Sequence, residues 1–122
     1  MNSKVQSIKS YKIVYPQVYS YILPERVVND SSQKIGYTEN ENVDKKILQQ
    51  VKTAAFSEKY TKLWSAPAFF DGGKESFIDK TFHKFLIKKG IERKLELGEE
   101  WFYFNGYPDK SKNFFDLFKL DI

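Results

Sequence analysis

Two rhythms of hydrophobic and polar positions run along this chain. From Val18 to Leu23 the run VYSYIL is dense in β-branched and aromatic residues, and Pro24 ends it, which predicts a strand. The polar stretch that follows carries Asn29, Asp30, Ser31 and Ser32 as turn formers. QKIGYT, Gln33 to Thr38, predicts a second strand. Strand, loop and strand at this spacing predict an antiparallel hairpin with a long connection.

The rhythm then changes from two to about three and a half. Val43, Ile47, Val51 and Ala54 form one apolar stripe, which predicts a helix from about Val43 to Ala55. Asn42 is placed to cap it, and Asp44 suits the positive end of its dipole. YTKLWSA, residues 60 to 66, predicts a third strand that Pro67 closes or confines to an edge. Asp71-Gly72-Gly73 predicts a turn. A second helix is expected over Glu75 to Lys89, with Glu75 as a first-turn charge and Gly90 just past its end. EWFYFNG, Glu100 to Gly106, predicts a short aromatic strand and turn, and Asp109 to Leu120 a last amphipathic helix. These elements amount to an α/β (α+β) domain: a small central antiparallel sheet of three or more strands, flanked by helices.

Composition narrows the class. A chain of 122 residues fits one domain, spanning 1–122, with residues 1 to about 12 as a loosely held polar lead-in. Its 11 Phe, 8 Tyr and 2 Trp supply enough ring area to close a core without disulfides. The absence of cysteine excludes disulfides, zinc knuckles and thiol catalysis, and predicts a reducing, cytoplasmic setting. No apolar run approaches the roughly 20 residues that span a bilayer, so no membrane partner is expected. A net charge of +4 and a pI of about 9.1 favour polyanions mildly. The end at Ile122, close behind the last helix, suits a short protein and the N-terminal part of a longer one equally.

The runs YSYILP and KIGYT sit at matching places on neighbouring predicted strands. The pair resembles the two motifs of the GIY-YIG nuclease superfamily, and more closely its phage-type branch, whose second motif reads lysine-isoleucine-glycine. The likeness continues through NVDKKI and FIDKTFHKFL to EWFYFNG, from about Val18 to Gly106. Domains of this look also occur fused to helicase-like restriction proteins, so the resemblance implies a helicase-like region as a possible neighbour in a longer chain. It also implies a metal-assisted endonuclease that acts on nucleic acid, DNA first, with Mg²⁺ or Mn²⁺ as cofactor.

Carried over residue by residue, the resemblance puts the tyrosine that orients water at Tyr21, with Tyr19 as the alternative and Tyr37 nearby. The phosphate-binding position falls on Lys46, the metal carboxylate on Asp79, and His83 shares the helix face of Asp79. Lys34, Lys45 and Asn105 are the implied nucleic-acid contacts. Two residues depart from the pattern. Lys46 stands where arginine is expected and loses the planar fork. Asp79 stands where glutamate is usual and has a shorter arm. Both departures favour a rival expectation, a domain that binds nucleic acid or docks to a larger machine without cutting. The residues also have plainer readings. Asp79 and His83 make an ordinary i, i+4 pair, Tyr19 and Tyr21 are good strand packers, and Trp101, Phe102 and Phe104 suit a core as well as a base-stacking platform.

Overall fold

A computed structural model of the chain describes residues 7–9, 12–24, 32–53, 56–57, 59–73, 75–104 and 109–120. In chain order the elements are β1 (Ser7–Lys9), β2 (Lys12–Val14), β3 (Gln17–Ile22), β4 (Gln33–Thr38), α1 (Val43–Val51), β5 (Lys52–Thr53), β6 (Phe56–Ser57), β7 (Thr61–Pro67), α2 (Asp79–Lys88), β8 (Glu92–Arg93), β9 (Trp101–Tyr103) and α3 (Lys110–Phe118). The architecture is mixed α+β. A five-stranded antiparallel sheet has the order β7-β3-β4-β9-β8, and two small two-stranded ladders, β1-β2 and β5-β6, accompany it.

Successive strand residues face opposite sides of a sheet, and this parity sorts the core into two layers. Tyr19, Tyr21, Leu23 and Trp101 pack with Val43, Ile47 and Val51 of α1. Val18, Ile35, Phe102 and Phe104 pack with Phe82 and Leu86 of α2 and with Phe115 and Phe118 of α3. Phe118 touches Phe70, Phe77, Phe82 and Phe85 with ring centroids 4.8–5.3 Å apart. Each phenylalanine buried this way contributes roughly 1.5–3 kcal/mol from area alone. The tryptophan and phenylalanines of the predicted aromatic strand belong to this interior: Trp101, Phe102 and Phe104 are all buried.

The predicted helices form, with shifted ends. Asn42 caps α1 by accepting the Lys45 amide at 3.1 Å. α1 stops at Val51 rather than Ala55, because Lys52 and Thr53 turn extended and pair with Ser57 and Phe56; Ala54 and Ala55 lie outside the described residues. α2 starts at Asp79, so Glu75 is not in its first turn. Glu75 and Phe77 instead stay extended, exchanging hydrogen bonds with Phe70 and Ala68. The other end of α2 is as expected. Gly90 adopts φ 85°, and the Gly90 and Ile91 amides donate to Ile87 and Leu86 at 3.0 Å. Part of the polar lead-in forms the β1-β2 hairpin, a pairing that its composition does not advertise.

Candidate functional site

The β3-β4 pair supplies the floor. Tyr19 lies opposite Gly36 in the ladder. Its ring crosses the bare Cα of that glycine: a Cβ added at Gly36 would come within 2.5 Å of the Tyr19 Cζ and hydroxyl. Glycine is therefore required here by space. The ring of Tyr21 stacks beside Tyr19 at 6.2 Å and meets Trp101 and Tyr60 edge-on at 5.7 and 5.9 Å.

Both phenols reach the same acceptor on α1. The Tyr19 hydroxyl donates to Gln50 Oε1 at 2.9 Å, and the Tyr21 hydroxyl donates to the same oxygen at 3.3 Å. Lys46 lies one helical turn before Gln50, on the same face. It is half-buried and makes no ion pair or hydrogen bond with a described residue. Lys45 is exposed on the same helix.

From the other side of the sheet, α2 brings Asp79 and His83. Strand β9 pairs with β4 only at Gln33 and Lys34. The Ile35 amide donates to the Glu100 carbonyl at 2.9 Å. The Ile35 carbonyl then takes a hydrogen bond from His83 Nε2 at 2.8 Å. The imidazole thus continues the ladder for one carbonyl where the strand has turned away. Beyond it, at Gly36, no strand of the described residues pairs with that side of β4.

Gly36 and the Tyr19 ring that crosses it are buried, and Asp79 reaches their electrostatic surroundings from α2. Burial raises the Tyr19 phenol far above its ordinary value of 10.0, and neighbouring Tyr21, Glu100 and Asp79 push it further. Burial likewise raises Tyr37, helped by its hydrogen bond to Glu39 at 3.1 Å and by the charge of Asp79. Asp79 is itself raised, by burial first; His83 opposes the shift and Glu100 adds to it. His83 is lowered by burial against the pull of Ile35, Asp79 and Glu100, so it is neutral near pH 7. Its Nε2 lies 3.9 Å from Asp79 Oδ2. The neutral ring donates from Nε2, which leaves Nδ1 as the nitrogen with a lone pair.

The predicted residues divide accordingly. Tyr19, named as the alternative to Tyr21, is the tyrosine lying over Gly36 with Asp79 in its electrostatic surroundings. Tyr21 shares its acceptor but is set back among Trp101 and Tyr60. Tyr37 projects toward the α2 side, with its hydroxyl on Glu39. Lys34 is tied to Glu100 by an ion pair of 2.8 Å. Asn105 lies outside the described residues. Two residues of the cluster went unread in the sequence. Gln50 was legible from its spacing of four from Lys46. Glu100 gave no signal, because its meeting with Lys34 depends on the β4-β9 register.

Chemically, the corner offers a carboxylate, two proton-donating phenols fixed on one amide and an unpaired ammonium one turn away. Among the described residues there is no group of three or more His, Asp or Glu able to hold a metal alone. Nor is any helix of the described residues long and apolar enough to cross a membrane. Comparison of the chain with family models, with curated proteins and with solved structures found no match in any of the three.

Proposed function

We propose that this chain is a nucleic-acid-processing domain of the GIY-YIG kind, hydrolysing DNA phosphodiesters at the corner where Tyr19 crosses Gly36. The observation that carries the reading is the gathering itself. Residues far apart in the chain support it: Tyr19 and Tyr21 of β3 share Gln50 of α1 as acceptor, Lys46 lies one turn from Gln50, and the charge of Asp79 on α2 is felt at Tyr19. In this reading Tyr19 orients water. Its proton is given to Gln50 Oε1, so its lone pairs are free to accept from a water molecule. Lys46 neutralises a phosphate oxygen as a point charge. Asp79 would hold a divalent cation, which would supply charge neutralisation for the phosphate. The donor set suits Mg²⁺ or Mn²⁺. Asp79 is the one carboxylate it offers, so most of the ion's shell would be water and phosphate.

A second reading, a binding module without cleavage, is favoured by the Lys34–Glu100 pair, which neutralises a carboxylate and a lysine of the same corner. Supercoiled plasmid incubated with Mg²⁺ or Mn²⁺ separates the two. The nuclease reading expects nicking that EDTA abolishes and that disappears in Tyr19→Phe and in Asp79→Asn. Plasmid binding without nicking by the parent protein rejects it in favour of the module.

A further inference from the structure

Arg93, on the edge strand β8, carries a charge the protein leaves uncompensated. It is one of two arginines in the chain, Arg26 being the other. Its guanidinium carbon lies 5.6 Å from the centroid of the Phe102 ring, and His83 meets the same ring at 5.0 Å. Phe102 therefore connects Arg93 to the helix that carries Asp79. The Nε–H of Arg93 is buried and meets no acceptor. The side chain makes no ion pair or hydrogen bond with any described residue. Lys34, Lys62, Lys112 and Lys119 each face a carboxylate; Arg93, like Lys46, faces none among the described residues.

Stacking on a ring fixes the plane of a guanidinium without neutralising it. Its five donors form a rigid fork that suits a pair of oxygens on one phosphate or carboxylate. A half-buried guanidinium with no acceptor is costly in the free protein, and an arriving anion removes part of that cost.

We propose that Arg93 is a phosphate-binding residue whose fork takes two oxygens of a nucleic-acid backbone phosphodiester, on the β8 edge outside the Tyr19–Asp79 corner. The anion class follows from Arg93 itself; the choice of a nucleic-acid backbone rests on the function proposed above. Lys46 is a point charge, whereas Arg93 presents a planar fork.

The Nε–Hε signals of the full chain in a ¹H–¹⁵N spectrum provide the test, with Arg93→Lys identifying the signal of Arg93. The probes are inorganic phosphate and, separately, a DNA duplex in EDTA. Both are expected to move the signal saturably, the duplex at lower concentration. In parallel, Arg93→Gln is expected to lower the slope of log affinity against log salt for the duplex by about one, while Arg93→Lys keeps the slope. An Arg93 signal that neither probe moves overturns the proposal. So does a parent protein that binds duplex and an Arg93→Gln variant that binds it with an unchanged slope; that result leaves the proposed function standing. A signal moved by inorganic phosphate in a protein that binds no duplex rejects the nucleic-acid reading, and the backbone ligand with it, in favour of a free-phosphate site.

Discussion

The ring of Tyr19 occupies the space in which a side chain at Gly36 would stand, with the Tyr19 hydroxyl 2.5 Å from an ideal Cβ at that position. The two residues face each other in the β3-β4 ladder, so the ring cannot retreat without leaving Gln50. Gly36→Ala is therefore expected to destabilise the domain by about 1–3 kcal/mol through overpacking. It should also displace the Tyr19 hydroxyl and abolish nicking. Urea denaturation together with the plasmid assay checks both effects in one variant.

Tyr19→Phe and Tyr21→Phe remove one hydroxyl each from the same acceptor, yet they are not equivalent. Each loses a hydrogen bond worth about 1 kcal/mol, so their stabilities should fall by similar amounts. Cleavage should distinguish them: Tyr19→Phe is expected to lose it, whereas Tyr21→Phe, set back against Trp101 and Tyr60, retains part. Gln50→Leu breaks both bonds and should impair cleavage as Tyr19→Phe does. Single-turnover rates on one oligonucleotide substrate measure all three.

The environment of His83 makes stability depend on pH in a stated direction. Burial lowers its pKa from 6.5 in the folded protein, so the unfolded chain takes up the proton first. The contribution of His83 is fully present above 6.5 and is lost as pH falls through the lower folded value. Asp79, Glu100 and the Ile35 carbonyl all favour the imidazolium and limit the loss. His83→Gln preserves an N–H donor for the Ile35 carbonyl but removes the titration. The urea midpoint of the parent should fall between pH 7.5 and 5.5, and that of His83→Gln should fall less.

A buried polar network ties the sheet to α3. Gln33 Oε1 accepts from Ser20 Oγ at 3.0 Å and from Ser111 Oγ at 2.6 Å, and the Trp64 indole donates to Ser111 Oγ at 2.8 Å. Four elements, β3, β4, β7 and α3, are joined through Gln33 and Ser111. Gln33→Leu strips two buried hydroxyls of their acceptor and should cost about 2–3 kcal/mol. Ser20→Ala in the same background should then recover part of the loss, which a double-mutant cycle in urea quantifies.

How much of this was legible in the sequence depended on the range of the interactions. β4 follows QKIGYT residue for residue, because β-branched and aromatic residues bounded by turn formers leave little choice of register. The Asn42 cap and the Gly90 stop were legible for the same local reason. The start of α2 was not, since Glu75 to Phe77 are held extended by Ala68 and Phe70, partners five to nine residues away that no periodicity reveals. The two-residue strand β8 carries no pattern at all. At the site, Lys46 and Asp79 stood out through a resemblance; Gln50 was not read, although it lies four residues from Lys46. The close approach of Tyr19 to Gly36 needed the β3-β4 register, and the place of Glu100 needed the fold of β9 beside β4.

Paramagnetic broadening by Mn²⁺ in the ¹H–¹⁵N spectrum tests most directly whether these groups form one cation-binding corner. Substoichiometric Mn²⁺ is expected to erase the amide signals of Gly36, Asp79 and Glu100 first, and to leave them sharp in Asp79→Asn. Broadening centred elsewhere on the molecule, or broadening of the same amides that persists in Asp79→Asn, contradicts the account.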